Sequence, residues 1–277
     1  MRLPLALQRF NTANLRLRLI SSAIMGPIAL LGVYLGGLAY GAMITCAVTL
    51  GLYEWLHLVA PKAHTRTVAV ACGLLIVLMA GGYLFSPTLG AILGGLFTVS
   101  LFVVAIRNQE ENVGWIACGI PYMGASGLAL LALRAIPGHG MGLVFFLAAI
   151  VWGTDIGAYA AGRLIGGPKL APSISPSKTW AGLFGGIALA VILGYFAASL
   201  LGARHPAVAL LLSPLLAVVS QIGDLFESYF KRRSDVKESG DLIPGHGGVL
   251  DRIDGLVFAG IFAFLFQAVL GEQLNWW

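Results

Sequence analysis

Charge is what this sequence most lacks. Only 10% of its residues are Asp, Glu, Lys or Arg, whereas 58% are hydrophobic. Soluble domains are about 25% charged and about 45–50% apolar, so a soluble protein is excluded. Cysteine is also scarce: the three cysteines, Cys46, Cys72 and Cys118, lie in apolar runs without a CxxC pair. Their placement argues against disulfides and against a zinc site.

Long uncharged runs dominate what is present. Residues 19–53 and 67–106 each suffice for two spans of about 20 residues. Five more apolar stretches follow, at about 113–133, 141–163, 179–201, 206–230 and 253–270. The runs lack the period-2 alternation of a membrane β-barrel. The sequence therefore predicts an all-α, polytopic integral membrane protein with about nine transmembrane helices.

The basic residues predict how these helices are oriented. With nine spans and a cytoplasmic N-terminus, fifteen of the 17 lysines and arginines fall on cytoplasmic segments, and only Arg134 and Arg204 fall outside. This bias predicts a cytoplasmic N-terminus and an outside C-terminus. Because the basic groups flank apolar spans, we expect membrane lipids and anionic substrates as partners, and no nucleic acid.

The few acidic residues are concentrated in one stretch, Ser220 to Gly255, which holds seven of the 12. If the eighth helix continues through it, Asp224, Glu227 and Lys231 share one face. Asp251 and Asp254 form a second pair at the start of the ninth helix. Two carboxylate pairs suit Mg²⁺ better than zinc. The alternatives to a metal site are solvated ion pairs for the first group and an ordinary helix cap for the second.

Two loops carry residues suited to binding an anion. The segment 244–248 places His246 among glycines, so it is either a phosphate cradle or a plain loop. Lys178 stands at the mouth of the seventh helix beside Ser175 and Thr179. These side chains can donate to a phosphate at a helix N-terminus, although an ordinary basic loop with a Ser/Thr cap explains them equally well.

Three polar residues lie within apolar spans. Asp155 indicates function, because an acid inside a membrane is costly; the alternative is a buried hydrogen bond to Tyr159. Glu54 and His57 form a weaker pair near the end of the second span, and we interpret them as structural.

At this point the residues resemble a family. The pattern Ser228, Phe230-Lys231-Arg232, Lys237, Gly240, Ile243-Pro244, His246-Gly247-Gly248, Asp251-Arg252-Ile253-Asp254 is similar to the signature of phosphatidate cytidylyltransferases, also called CDP-diacylglycerol synthases. The segments 175–180 and 220–224 also resemble that family, so the likeness covers roughly residues 152–255. There are two departures from the pattern. Glu238 stands where the family usually has Asp, and Ala181 stands where we expect Glu.

The resemblance implies the reaction of CTP with phosphatidate to give CDP-diacylglycerol and pyrophosphate, at a bacterial inner membrane and with the site facing the cytoplasm. Together with the charge pattern, it divides the chain into a basic lead-in (1–18), N-terminal helices (19–150) and a catalytic region (151–277). Two other functions remain open: a CTP-dependent lipid kinase of the dolichol-kinase type, and a cation-coupled transporter. A homodimer is also open.

Residue roles follow as hypotheses from the resemblance and the charge pattern. The catalytic set is Asp224, Asp251, Lys178, Lys231 and Arg252. The substrate-binding set is Ser175, Thr179, Arg232, His246, Gly247, Gly248 and Asp155. The expected cofactor is Mg²⁺, with a second cation as an option. Its predicted ligands are Asp224, Asp251, Glu227 and Asp254.

Overall fold

The computed structural model describes the chain from Thr12 to Trp277, with the side chains of Leu17, Ile20 and Ser21 and of residues from Ala23 onward. The helices are α1 (Thr12–Leu35), α2 (Gly37–Val59), α3 (Thr65–Leu84), α4 (Pro87–Arg107), α5 (Val113–Ala135), α6 (Gly140–Leu164), α7 (Trp180–Leu200), α8 (Ala209–Arg233), α9 (Leu250–Phe266) and α10 (Glu272–Leu274). A 3₁₀ turn (Pro206–Val208) precedes α8, and a π-helical segment (Gln267–Gly271) joins α9 to α10. Residues 1–11 of the predicted lead-in lie outside the described part, and the rest of it belongs to α1.

The all-α membrane architecture is confirmed, but the count of nine spans is not. Among the described residues, eight helices are long and apolar enough to cross a bilayer, from α2 to the continuous helix Leu250–Leu274. The exception is α1, whose apolar part covers only Ala23–Leu35. A span needs about 20 apolar residues, and Arg16 and Arg18 interrupt the stretch before Ala23.

A short hairpin, which the prediction of a simple loop did not include, joins α6 to α7. Strand β1 (Lys169–Ala171) pairs with β2 (Ser175–Thr179) in antiparallel register, with Lys169 opposite Thr179. The Trp180 N–H donates to the Pro168 carbonyl, which ties the hairpin base to the first residue of α7. Lys178 is therefore held on a strand at the helix mouth, and not on a free loop.

Alternating helix directions bring the connections after α2, α4, α6 and α8 to one end of the bundle, here called the site end. Ser234 donates to the Leu58 carbonyl at 2.6 Å, and Asn112 donates to the Val59 carbonyl at 2.9 Å. At the opposite end, Arg134 donates to the Val33 carbonyl at 2.8 Å. The predicted boundary at 150/151 falls within α6, and that division stays a prediction.

An aromatic cluster fixes the rotation of α8 in the bundle. The Phe226 ring lies 5.9 Å from Trp55, 5.3 Å from Tyr122 and 5.4 Å from Phe258, between ring centroids. These partners belong to α2, α5 and α9. Residues two apart point to nearly opposite sides of a helix at 3.6 residues per turn. Packing Phe226 inward therefore directs Asp224 away from this cluster.

Glu110, in the connection after α4, ties that connection to the start of α3. Its Oε1 accepts from the His64 backbone N–H at 2.9 Å and from the Thr67 hydroxyl at 2.5 Å. Burial alone would raise the pKa of this carboxyl, but the hydrogen bonds from Thr67 and His64 outweigh it and lower the pKa. The carboxylate thus completes the N-terminus of α3 from outside the helix.

Candidate active site

A cavity of about 610 Å³ lies between α6, α7, α8 and α9 at the site end. Cavities of about 300–1,000 Å³ are typical of small-molecule sites. The charged residues in its lining are Asp155, Arg163, Lys178, Asp224, Lys231, Lys237, Glu238, Asp251, Arg252 and Asp254. Asp155 and Asp224 each lie nine residues before the end of their helix, which is about 13 Å at 1.5 Å per residue. The cavity therefore extends well into the helical bundle.

Lys178 joins the hairpin to α8 across the cavity. Its Nζ lies 2.6 Å from Asp224 Oδ2 and donates to Gln221 Oε1 at 2.9 Å. Ser228, one turn further along α8, donates to the other Asp224 oxygen at 3.2 Å. An ammonium has three N–H donors, and two of them are used here. One donor of Lys178 therefore remains for an anion in the cavity.

Lys231, nearer the end of α8 than Asp224, also bridges two acceptors. Its Nζ lies 2.6 Å from Glu227 Oε2 and 2.7 Å from Asp251 Oδ1. Glu227 is fully buried, and its Oε1 has no hydrogen-bond partner among the described residues. The lysine ammonium thus compensates a buried acid and links α8 to α9, while Lys231 itself still lines the cavity.

Asp251 is occupied on both oxygens. Its Oδ2 accepts from the Gly248 N–H at 2.8 Å, and from the Ser239 N–H and hydroxyl at 2.9 and 3.0 Å. Its Oδ1 holds Lys231. Asp254 faces the same cavity and accepts from the Gly255 N–H at 2.7 Å. Asp251 therefore forms a largely buried ion pair with Lys231 and also lines the cavity.

The fit to a metal ion can be judged from these donors. Asp155, Asp224 and Asp254 all line the cavity and offer carboxylate oxygens, the ligand type that Mg²⁺ prefers. In the described part of the chain, however, no three His, Cys, Asp or Glu side chains converge as a metal site would need. The residues fit Mg²⁺ by donor type, and the cation role stays a prediction.

Several predicted substrate residues lie outside the cavity lining. These are Ser175, Arg232, His246, Gly247 and Gly248, and the predicted metal ligand Glu227 is absent from it as well. The Arg232 guanidinium instead donates to the Ile174 carbonyl at 3.1 Å and to the Val236 carbonyl at 3.3 Å. Thr179 lines the cavity, but its hydroxyl accepts from the Gly182 N–H at 3.0 Å as the cap of α7.

The phosphate cradle predicted at residues 244–248 stays a prediction, but one of its N–H groups and the two that follow it already have partners. A cradle requires backbone N–H groups that point at the ligand. Here the Gly248 N–H donates to Asp251, and the next two N–H groups, of Val249 and Leu250, donate to Glu54. These donors are occupied by carboxylates of the chain itself, so they do not face an incoming phosphate.

Asp155 does not form the hydrogen bond to Tyr159 that was considered as its structural role. No hydrogen bond joins it to Tyr159 among the described contacts; the Tyr159 hydroxyl accepts from Arg163 at 3.3 Å instead. Asp155 is exposed to the cavity. Sequence reasoning missed Gln221 and Ser239, because neither carries a charge that would have drawn attention to it.

The sequence matches a known protein family and several named relatives. Residues 16–270 match the cytidylyltransferase family. This chain belongs to that family. It is similar to the phosphatidate cytidylyltransferase of Brucella suis biovar 1, with 41% identity over 94% of this chain and 96% of the relative. It is also similar to phosphatidate cytidylyltransferases of Pseudomonas aeruginosa (37%, 92% and 97%) and Bacillus subtilis (32%, 92% and 98%).

The resemblance found in the signature residues is thus confirmed over nearly the whole chain. For a cytidylyltransferase, the cavity has suitable electrostatics: three lysines and Arg252 face the same space as four aspartates. Cations of this kind stabilise the negative charge of transferring phosphoryl groups.

Proposed function

We infer that this chain transfers the cytidylyl group of CTP to phosphatidate, giving CDP-diacylglycerol and pyrophosphate. Two findings support this function: membership of the cytidylyltransferase family and the similarity to named phosphatidate cytidylyltransferases. The observation that carries the mechanism is the cavity at one end of a membrane bundle, where Lys178, Lys231 and Arg252 face several aspartates. Such a site accepts a water-soluble nucleotide while the acyl chains stay in the bilayer.

The chemistry requires little proton transfer. The phosphate monoester of phosphatidate has a second pKa of about 6, so at neutral pH it is already an anionic nucleophile. One of its oxygens attacks the α-phosphorus of CTP. A new P–O bond forms, the bond from the α-phosphorus to the bridging oxygen breaks, and pyrophosphate leaves with the electron pair. The difficulty is the repulsion between two anions.

The side chains of the cavity address that repulsion. Asp224 and Gln221 hold Lys178, and Glu227 and Asp251 hold Lys231. Each ammonium is therefore oriented before substrate binds, which favours catalysis by preorganised charge. We assign Lys178, Lys231 and Arg252 to the phosphates of CTP and the phosphatidate headgroup, and Asp155 to the deeper part of the cavity.

We propose Mg²⁺ as the cofactor, with a second cation still open. The predicted ligands Asp224, Asp251 and Asp254 line the cavity, and Glu227 does not. Asp251 and Glu227 hold Lys231, so they would serve the ion indirectly in this arrangement. When bound, Mg²⁺ would neutralise phosphate charge and the charge that develops on pyrophosphate.

The proposed orientation places the site end in the cytoplasm, at a bacterial inner membrane, with the N-terminus inside and the C-terminus outside. Lys62, Arg66 and Arg107 lie at that end, as the positive-inside rule requires. We further propose that α1 is a ninth span. Ser21 donates to the Pro244 carbonyl at 2.7 Å, and Val33 meets Arg134 at the opposite end. A homodimer stays a prediction.

The deciding experiment uses purified protein, labelled CTP, phosphatidate and Mg²⁺. We expect CDP-diacylglycerol and pyrophosphate; CDP with a phosphorylated lipid would instead indicate a lipid kinase. Ion flux in vesicles without CTP consumption would indicate a transporter. Asp224→Asn should reduce turnover by about 10²-fold or more, because it frees Lys178 and removes a carboxylate from the reacting phosphates. Asp235→Asn, at an exposed position with φ of 54°, is the matched control and should behave as wild type.

A further inference from the structure

A buried glutamate from the N-terminal half of the chain holds the loop that leads into α9. Glu54, near the end of α2, is only 2% exposed. Its Oε1 accepts from the Val249 N–H at 2.9 Å, and its Oε2 accepts from the Leu250 N–H at 2.7 Å and the Ser239 hydroxyl at 3.2 Å. The carboxylate thus takes up unpaired N–H groups at the N-terminus of α9.

The loop is shaped around this carboxylate. A Cβ atom at Gly240 would lie 2.7 Å from Glu54 Oε1 and 3.0 Å from its Cδ. A Cβ atom at Gly248 would lie 2.5 Å from Glu54 Oε2 and would also meet the Ser239 hydroxyl. Both distances are too short for a carbon atom. These two glycines therefore let the loop close onto Glu54.

The same loop groups hold a residue of the cavity. Ser239 and Gly248 also donate to Asp251 Oδ2, and Asp251 Oδ1 holds Lys231. Ser239 donates to both acids, since its hydroxyl lies 3.2 Å from Glu54 Oε2 and 3.0 Å from Asp251 Oδ2. A loop that is released from Glu54 would therefore release Asp251 and Lys231 as well.

We propose that Glu54 is a positioning residue for cytidylyl transfer. It does not line the cavity. Instead, it anchors the loop 238–250 to α2 and so sets the places of Asp251, Lys231 and Arg252. This inference rests on the proposed function, because it assigns those residues to the phosphates of the substrates. A negative charge is needed at this position for two reasons. A carboxylate accepts on both oxygens, whereas an amide would present an NH₂ group to an N–H. It also lies at the positive end of the α9 dipole.

The test compares Glu54→Gln with Glu110→Gln. Glu110 is the matched control, because its side chain is also only 3% exposed and accepts a backbone N–H and a hydroxyl at the start of another helix, α3, away from the cavity. Both variants are purified in detergent, and kinetics are measured per mole of folded, monodisperse protein. For Glu54→Gln we expect kcat to fall about 10- to 100-fold, because misplaced catalytic groups lose that much. We also expect the KM for CTP to rise about threefold or more, because ground-state binding to phosphates weakens too.

A smaller folded fraction would lower the apparent kcat but leave the KM for CTP unchanged, so the two parameters separate positioning from mere stability. Glu110→Gln should keep both kinetic parameters near wild type. If Glu54→Gln matches Glu110→Gln in kcat and in the KM for CTP, the proposal is wrong. An inactive wild-type enzyme would instead contradict the proposed function, so the two failures are distinguishable.

A second variant covers the case in which Glu54→Gln does not fold. Gly240→Ala places a methyl group against the Glu54 carboxylate without changing any charge. We expect the same combination, a lower kcat with a higher KM for CTP. In a Glu54→Ala background, where the obstructing carboxylate is gone, Gly240→Ala should cause no further loss. A wild-type kcat and KM in Gly240→Ala would overturn the proposal. So would effects of Glu54→Ala and Gly240→Ala that add fully in the double variant.

Discussion

The Lys231 side chain both neutralises buried acids and faces the cavity. It neutralises Glu227, which is fully buried, and Asp251, whose side chain is 5% exposed, yet it also lines the cavity. Breaking a buried ion pair by removing one partner typically costs about 3–5 kcal/mol, because an uncompensated charge is left inside. Stability and catalysis are therefore coupled at this residue, and substitutions can separate them.

We predict that Lys231→Met both destabilises the protein by about 3 kcal/mol or more and abolishes turnover. Adding Glu227→Gln and Asp251→Asn removes the buried charges, so the triple variant should regain thermal stability but not activity. Thermal unfolding in detergent and the CTP assay measure the two effects. Lys62→Met, at an exposed position, is the control and should change neither. Equal stability of the single and triple variants would contradict this explanation.

Local spacing explains which of these contacts could be predicted. Asp224, Glu227 and Lys231 are three and four residues apart, and the structure confirms that they lie on one helix, with Glu227 and Lys231 paired. The pairing of Lys178 with Asp224, and the contact of Glu54 with Leu250 across 196 residues, depend on how helices pack. No pattern in a single sequence encodes such packing. For the same reason, the sequence does not show that Asp251 and Glu54 accept the N–H groups at the end of the loop 238–250.

At the scale of whole elements, α6 and α7 approach closely through small residues. A Cβ at Gly157 would lie 2.5 Å from the Gly185 carbonyl oxygen and 2.9 Å from Leu189 Cβ. Small residues allow such contact between membrane helices, where packing replaces the hydrophobic effect. Asp155 lies on α6, and Lys178 lies two residues before the start of α7. The distance between these two helices therefore sets the width of one side of the cavity.

Gly157→Ala should therefore force the two helices apart. Overpacking of this kind costs about 1–3 kcal/mol, and we expect a lower melting temperature and a severalfold loss of turnover as Asp155 and Lys178 shift. Gly73→Ala is the matched control, since nothing lies within 4 Å of a Cβ there and that glycine is exposed in the middle of α3. It should be neutral or slightly stabilising. If both variants unfold at the same temperature with the same activity, close packing of α6 and α7 does not shape the site.

The long apolar helices could be predicted from the sequence, whereas the short hairpin could not. Apolar length predicts α5, α6 and α7 to within two residues, because a bilayer demands helices of nearly fixed length. The hairpin of β1 and β2 was missed, since its strands span three and five residues and carry no long periodic pattern. Apolar length does not confirm the ninth span, because the charge-free run begins at Leu19 whereas the apolar part of α1 begins only at Ala23.

For the whole molecule, one end carries both the proposed active site and most of the basic residues. The connections after α2, α4, α6 and α8 meet there, and Arg134 and the C-terminus lie at the other end. A cytoplasmic supply of CTP requires the site end to face the cytoplasm. The positive-inside bias agrees with that requirement. The orientation can be measured independently of activity.

Cysteine labelling tests the orientation in a background with Cys46, Cys72 and Cys118 changed to Ser. Glu111→Cys and Ala135→Cys introduce exposed thiols at the site end and at the opposite end. A membrane-impermeant maleimide should label Ala135→Cys in spheroplasts, and Glu111→Cys only in inside-out vesicles. The reverse pattern would contradict a cytoplasmic site.

A cysteine placed ahead of α1, as in Gln8→Cys, decides whether α1 crosses the membrane. The start of α2 lies at the end of the bundle opposite to the site, where Arg134 contacts Tyr34 just before it. If α1 spans the bilayer, the thiol at position 8 must lie on the same side as Glu111→Cys, because one further crossing separates it from the start of α2. If the thiol at position 8 is instead labelled from the same side as Ala135→Cys, the protein has eight spans and its N-terminus lies outside. We expect the first result, because the contact of Ser21 with Pro244 holds the early part of α1 at the site end, and because Arg16 and Arg18 favour the cytoplasmic side.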